Sequence, residues 1–341
     1  MRPAFRILAG RADVTAAIRE RLLELAIVDE AGIESDELRL TLDDRRGEDG
    51  AIAQLPGIGA RLEVALGYEE TGIIPMGVFL VDEIELSSPP ATLVVAARAA
   101  ELSGPLRSPK TRSFDGLTLG ELARRIAAEH GMQARIDAAL DGVALGHIDQ
   151  TAESDIALLT RLAALYDAIV KPAGGLLVVA RRAAGQSASG QAMPVIELKA
   201  RDLIEWRYRH SARRPAGSGK PEDGSSTPAK GGVKAYWWDF EAGQRQEVTV
   251  GRPPYAELKH VHVSREKALA AAQAALRTGA RQQGELSLTM PGDARLVAQC
   301  RLSIALRPGI PTDWIVSRAE HRFGPQGYVT QLECNLPNPT I

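Results

Sequence analysis

The chain has 341 residues, room for two or three domains of the usual ~100–200 residues, so a sizeable core is available without a disulfide or metal to hold it. Lys and Arg number 41 against 43 Asp and Glu, a formal charge of -2, which excludes a chain-wide electrostatic bias toward nucleic acid or an anionic membrane. Aromatic residues make up only 4% of the sequence, which favours an aliphatic core and argues against base-stacking platforms.

The amino terminus, Met1-Arg2-Pro3-Ala4-Phe5, lacks the apolar core of a signal peptide, and no later stretch reaches the ~18 apolar residues of a membrane span. The expectation is a protein made in the cytoplasm and kept there unless lysis releases it. From Phe5 to Ala100 short apolar runs alternate with turn residues: Leu22 to Val28, Leu38 to Leu42, Leu62 to Leu66, Val78 to Leu86 and Thr92 to Ala97. Asp29-Glu30-Ala31-Gly32 and Pro89-Pro90 supply turns, and a short helical turn is expected near Asp13 to Arg19. This spacing predicts a small antiparallel β-barrel over residues 1–100.

The period changes in residues 101–183, which read as a compact α/β domain. Thr118-Leu119-Gly120-Glu121 has the form of a capping box and Gly131 can close the helix that follows, with Leu122, Ile126 and Ala127 facing a core. A second helix is predicted from about Ser154 to Asp167, with Ile156, Leu159, Leu162, Ala163 and Tyr166 on one side, and strands near Ala144 to Ile148 and Leu176 to Ala180. Residues 184–192 are rich in Gly, Ser and Gln and read as a linker. Residues 193–341 return to strands, near Lys234 to Phe240, Gln246 to Val250, Leu258 to Val263, Glu285 to Met290, Arg301 to Leu306, Trp314 to Arg322 and Tyr328 to Asn335. Ser264 caps an Ala-rich helix expected at 264–279, with Gly279 at its end. The stretch Arg213 to Gly232 has no apolar periodicity and is predicted to be a mobile, protease-sensitive loop. No repeat of fixed period is evident, although Glu-Ser-Asp occurs at Glu34 and again at Glu153.

Candidate chemistry is sparse. Gly217-Ser218-Gly219-Lys220 has the glycines and lysine of a phosphate loop, but Arg214 and Pro221 stand where that loop needs Gly and Ser or Thr, so a linker is the simpler reading. His260 and His262 would share one face of a strand and could give zinc two ligands, but a third and fourth at recognisable spacing are missing. Trp206-Arg207-Tyr208-Arg209-His210 interleaves aromatics with cations as single-strand binders do. Period two on a half-buried strand explains the same pattern. Cys300 and Cys334 are isolated and read as small buried thiols. Glu34/Asp36 and Glu153/Asp155 stand beside turns or helix starts, where carboxylates meet the helix dipole. No nucleophile elbow, cysteine–histidine signature or catalytic carboxylate pair stands out, so the expectation is no catalytic, cofactor-binding or metal residues.

Longer strings carry a family resemblance. Pro3-Ala4-Phe5-Arg6-Ile7, Val28 through Asp36, Leu40 through Arg45, Leu66-Gly67-Tyr68, Gly77 through Glu83 and Ser88-Pro89-Pro90 resemble the first domain of phage late-control D tail proteins. The most specific piece is His147 through Asp155, followed by Leu158-Leu159-Thr160-Arg161-Leu162-Ala163. A similar Gln…Glu-Ser-Asp…Arg-Leu signature occurs in the hub-like part of type VI secretion spike proteins. Tyr236 with Trp238-Asp239, Ser264 with Glu266-Lys267-Ala268, and Trp314-Ile315-Val316 leading to His321 extend the resemblance over nearly the whole chain.

The resemblance implies an α+β, mainly β protein: two tube-protein-like barrels with an intervening α/β unit, assembled as a homotrimer. It would be the baseplate hub of a contractile phage tail or tail-like particle, adapting a sixfold tail tube to a threefold central spike. Its partners would be the spike, the tube protein or tube initiator and other baseplate proteins, with no cofactor, no membrane and no sequence-specific nucleic acid. The Gln150 to Arg161 motif is expected to be structural. The competing class is a tail-associated peptidoglycan hydrolase, against which the hub-like region is expected to leave no room for a catalytic appendage before Ile341. A DNA-binding regulator is disfavoured by neutral charge and by the lack of a helix-turn-helix.

Overall fold

The computed structural model describes residues 1–31, 36–45, 55–100, 104–173, 175–183, 195–211 and 231–338. Glu34, the 184–192 linker, the Gly217-Ser218-Gly219-Lys220 segment and the polar stretch from Arg213 up to residue 230 lie outside the described residues.

The first hundred residues form β1 (Pro3–Ala9), β2 (Ala12–Asp13), α1 (Thr15–Arg21), β3 (Leu22–Glu30), β4 (Glu37–Asp43), β5 (Arg61–Tyr68), β6 (Gly72–Ser87) and β7 (Thr92–Ala99). Alternation sets the inner face: Leu38, Leu40 and Leu42 of β4 are buried while Glu37 and Arg39 face out. Each such side chain contributes about 1.5–3 kcal/mol by leaving water. The strands pair in the order β3-β4-β7-β6-β5-β1, all antiparallel. The sheet curls until Phe5 and Ile7 of β1 share a core with Leu25 and Ile27 of β3. Among the described residues no ladder joins β1 to β3, so the unit is barrel-like but open in its hydrogen bonding.

The middle of the chain forms β8 (Pro109–Thr118), α2 (Leu119–Glu129), β9 (Gln133–Ile136), α3 (Ala138–Asp141), β10 (Ala144–Ser154), α4 (Asp155–Ala164), β11 (Ala168–Ala173) and β12 (Leu176–Arg181). The capping box is made: the Glu121 amide donates to Thr118 Oγ1 at 3.2 Å and the Thr118 amide to the Glu121 carboxylate at 2.8 Å. Gly131, at φ +67°, takes the left-handed turn beyond α2. Leu119, Leu122 and Ile126 of α2 pack with Ile156, Leu159 and Leu162 of α4 in one core, against the β10-β8 pair and the β11-β12-β9 sheet.

The remaining elements are β13 (Val195–Lys199), β14 (Glu205–His210), β15 (Gly232–Asp239), β16 (Gln244–Gly251), β17 (Tyr255–His262), α5 (Arg265–Arg281), β18 (Gly284–Pro291), β19 (Arg301–Ala305), β20 (Asp313–Gly324) and β21 (Gly327–Asn335). They divide between two sheets rather than one. β16-β15-β17 is a separate sheet whose Val233, Ala235 and Val248 pack on Ala268 and Ala272 of α5. The others form β13-β19-β20-β21-β18-β14. Two glycine expectations are corrected. Gly232, read as loop, begins β15, where a Cβ would lie 2.6 Å from Val250 O, so close strand approach requires it. Gly279, read as the end of the last helix, is buried inside α5, which continues to Arg281.

The two large sheets repeat one topology. Numbered within each unit, the strands of the first (β1, β3, β4, β5, β6, β7) and of the second (β13, β14, β18, β19, β20, β21) both pair in the order 1-4-5-6-3-2. The 1–4 pair is antiparallel in the first and parallel in the second. Matching details align them residue by residue. The Val81 amide donates to Ala60 O and its carbonyl accepts from Gly59; the Val316 amide donates to Cys300 O and its carbonyl accepts from Gln299. Gly59 and Gln299 both have left-handed φ, +81° and +69°. Register breaks follow at Val81/Glu83 and at Val316/Arg318, marking bulges at Asp82 and Ser317. The alignment then places Glu37-Leu38-Arg39-Leu40-Thr41-Leu42 on Glu285-Leu286-Ser287-Leu288-Thr289-Met290, and Ala60-Arg61-Leu62 on Cys300-Arg301-Leu302. The units meet where β20 pairs with β3 over Arg318–Phe323, giving one continuous 13-stranded sheet.

Candidate functional site: a buried polar lock and ionic joints

The His147 to Asp155 string lies on β10 and runs into α4. Period two sends Ile148 and Gln150 inward, and both Gln150 and Asp155 are fully buried. Gln150 Oε1 accepts from Arg112 Nε at 2.8 Å, while its Nε2 donates to Asp155 Oδ1 and Glu153 O, each at 2.8 Å. Asp155 also accepts from Lys110 Nζ at 2.6 Å, Arg112 Nη2 at 2.7 Å and His130 Nε2 at 2.8 Å. Glu129 accepts from Lys110 at 3.2 Å and from Arg112 at 2.8 Å. Lys110 and Arg112 each bridge both carboxylates and so offset their charge, while Arg125 approaches Glu129 from the rim at 3.8 Å. Burial alone would push the Asp155 carboxyl up, but hydrogen bonds from Lys110, His130 and Gln150 and the Arg112 charge hold it down at about 2.

The rest of the motif braces this lock from outside. Ser154 Oγ caps α4 by accepting from the Ala157 amide at 3.3 Å. Arg161 grips the Glu153 carboxylate with two N–H groups at 3.0 and 2.7 Å and donates to Asp149 O at 3.2 Å. Sequence reasoning found Gln150, Ser154, Asp155 and Arg161 but not Lys110, Arg112, Glu129 or His130. The available signal was Lys110 and Arg112 two apart on a strand, opposite Glu153 and Gln150 in register.

Glu129, His130 and Asp155 bring ligand atoms within 4.8 Å of one another. They do not suit a divalent cation, because the same carboxylate oxygens already receive an ammonium and a guanidinium at hydrogen-bond distance. His260 and His262 stand together with ring centroids 4.8 Å apart, and among the described residues no third ligand joins them. His262 Nε2 is buried without a partner, and desolvation followed by the neighbouring His260 charge lowers its affinity for a proton. Cys300 and Cys334 are both buried free thiols, and burial pushes Cys300 up to about 11, far from thiolate reactivity. Trp206 to His210 lie on β14, with Tyr208 edge-on to Trp314 at 5.9 Å.

Ionic joints tie the units together. Lys171 of β11 donates to Asp29 of β3 at 2.7 Å and to Asp36 at 3.0 Å, and the second Asp29 oxygen accepts from the Ala298 amide at 2.9 Å. Asp29 thus touches the α/β unit and the connection between β18 and β19 at once. Burial, then the nearby Asp29 charge, raise Asp36 to about 6, against the pull of Lys171. Arg281 of α5 makes a bidentate, buried pair with Asp167, one bond at 2.6 Å, and Lys267 donates to Leu145 O at 2.7 Å. Arg182 reaches Ala31 O at 3.0 Å.

Comparison with known proteins places this architecture. The family model described as phage tail baseplate hub (GPD) matches residues 91–327. A protein of Escherichia phage 186 called a probable baseplate hub protein is 28% identical over 98% of this chain and 93% of its own length. Among solved structures, the 43 kDa tail protein of prophage MuSo2 from Shewanella oneidensis superposes with a TM-score of 0.70 at 16% identity, covering 97% of this chain and 98% of that one. An E. coli type VI secretion component, described as structurally similar to bacteriophage T4 tail proteins, reaches 0.57 at 10% identity over 94% of this chain and 74% of its own. With a family match over most of its length and the same fold in phage tail proteins, the chain belongs to the phage tail baseplate hub family, and its role is that of a structural tail hub.

Proposed function

We propose that three copies of this chain close into a ring that adapts a sixfold tail tube to a threefold central spike. The observation that carries this reading is the repeated 1-4-5-6-3-2 strand order. Two alike sheets per chain let three chains offer six alike positions while obeying a threefold axis. The ionic joints support it, because an adaptor must hold its two sheets at a fixed spacing: Asp29 ties the first sheet to Lys171 of the α/β unit and to Ala298 of the second unit, and Asp167 ties the α/β unit to Arg281 at the end of α5. The partners are then further copies of the chain, the central spike, the tail tube protein or tube initiator, and other baseplate proteins. Neither a membrane nor a particular nucleic-acid sequence is among them.

The subunit acts by shape rather than by catalysis. In its most ionisable cluster both carboxylates are held by Lys110 and Arg112, a design suited to holding β8, β10, α2 and α4 together and unsuited to moving protons for a substrate. Synthesis takes place in the host cytoplasm before assembly into the tail. Imaging the assembled particle tests the reading: three chains forming six sheet positions around the axis support it, whereas six separate copies or one chain per spike refute it.

A further inference from the structure

The joint between the two sheets inside the chain has an unmade counterpart at its ends. β21 covers one side of β20 from Ile315 to Gly324, while β19 and then β3 share the other side, β3 taking Arg318–Phe323. In the repeated topology β6 stands where β20 stands, and β14 where β3 stands. The β5 side of β6 is paired only up to Leu80, with Val81 bonded to Gly59 and Ala60. Beyond it, among the described residues, Asp82–Ser87 pair with nothing on that side, and β14 pairs with β18 alone. Each chain therefore carries one finished β20–β3 joint and the two separate halves of a second.

We propose that β6 from Asp82 to Ser87 of one chain pairs antiparallel with β14 of a second copy, repeating between chains the joint that β20 and β3 make within one. The proposal rests on the ring reading and supplies its contact. The bulges at Asp82 and Ser317 fix the register. Glu320↔Val28 becomes Glu85↔Arg209, Arg322↔Ala26 becomes Ser87↔Arg207, His321↔Ile27 becomes Leu86↔Tyr208, and Ala319↔Asp29 becomes Ile84↔His210.

Three features favour this occupant. Among the described residues, exposed Glu83 and Glu85 form no ion pair within 4 Å and exposed Arg207 has no carboxylate within that distance, while exposed Arg209 has Glu285 of its own chain at 3.9 Å. One strand offers carboxylates and the other offers Arg207 and Arg209 on the facing side. Leu86 is 54% exposed in a position whose counterpart, His321, is fully buried beneath the finished joint. Trp206, 40% exposed, stands where Leu25 is fully buried. An unpaired strand edge with exposed apolar side chains is a hazard that a copy of the same chain removes. The contact is head-to-tail, so repeated copies close into a ring when the rotation between units permits.

Cysteine cross-linking of the full chain in its assembled tail tests this, since opposed Cα atoms in an antiparallel pair lie at disulfide distance, about 4.5–5.5 Å. Chains carrying both Glu85→Cys and Arg209→Cys should give a covalently closed set of three under oxidation, while Glu85→Cys with Glu205→Cys, out of register, should not. Charge reversal gives a second readout: Glu85→Arg or Arg209→Glu should each weaken association about tenfold, and the two together should restore it. A three-chain ring that stays uncross-linked with the in-register pair overturns the edge pairing and leaves the ring reading standing. Cross-links in an assembly without three chains overturn the ring reading and keep the pairing; neither ring nor cross-link overturns both.

Discussion

Removing the Asp155 carboxylate should loosen the α/β unit by an amount that the geometry sets. The carboxylate is fully buried and accepts four hydrogen bonds, from Lys110, Arg112, His130 and Gln150. Breaking a buried ionic cluster by deleting one partner costs about 3–5 kcal/mol. Here Glu129 still holds Lys110 and Arg112 after the loss, and both cations are partly exposed, which puts Asp155→Ala at the lower end, about 3 kcal/mol. Hydrogen exchange of α4 amides reads this locally, and a loss of that size corresponds to roughly a hundredfold faster exchange at neutral pH. The effect also has a pH signature. Because the folded carboxyl is lowered from 3.8 to about 2, its stabilisation is complete above about pH 4 and disappears as pH falls toward 2, so wild type and variant should converge across that window. Protection reduced less than about tenfold, or a gap that persists unchanged at pH 2, would refute the lock.

His321 is buried with Nε2 donating to Leu296 O at 3.0 Å and Nδ1 accepting from Tyr328 at 2.9 Å, and burial lowers its proton affinity. Its stabilising contribution is therefore full above the unfolded value of 6.5 and declines as pH falls below it; His321→Gln should flatten that part of the stability–pH curve in denaturant titrations. Arg281→Met leaves Asp167 buried with Arg277, at 3.4 Å, as its remaining ion pair among the described residues, and should cost about 3 kcal/mol, seen as early loss of protection in α5 by hydrogen exchange. Chelators should leave the melting temperature unchanged, because the oxygens of Glu129 and Asp155 are already held by cations; a drop in EDTA would show a resident metal.

Local signals were strong wherever one short segment decides its own conformation. Thr118 and Glu121 announce their capping box, Ser264 its cap, and alternating leucines at 38, 40 and 42 their strand, because the competing structures differ within a few neighbouring residues. The sequence also contains the internal duplication, in Glu37 to Leu42 against Glu285 to Met290, yet no fixed period marks it. Loops of different length, and the β15–β17 sheet with α5 inserted between β14 and β18, shift the spacing from strand to strand. Only paired ladders restore the correspondence.

Other features depend wholly on what the chain brings together from afar. Gly279 has the residue type of a helix end, but Arg281 is held by Asp167, more than a hundred residues away, and α5 runs on to reach it. Gly232 continues the composition of the polar stretch before it, and becomes strand because β16 and β17 close on both sides. Asp155 could be placed at a helix start from sequence alone, but its burial and its four donors come from β8, β10 and His130 just past α2. Caps and alternation are energies between near neighbours, whereas a buried charge is tolerable only when distant partners arrive to meet it, and which partners arrive is a property of the folded whole.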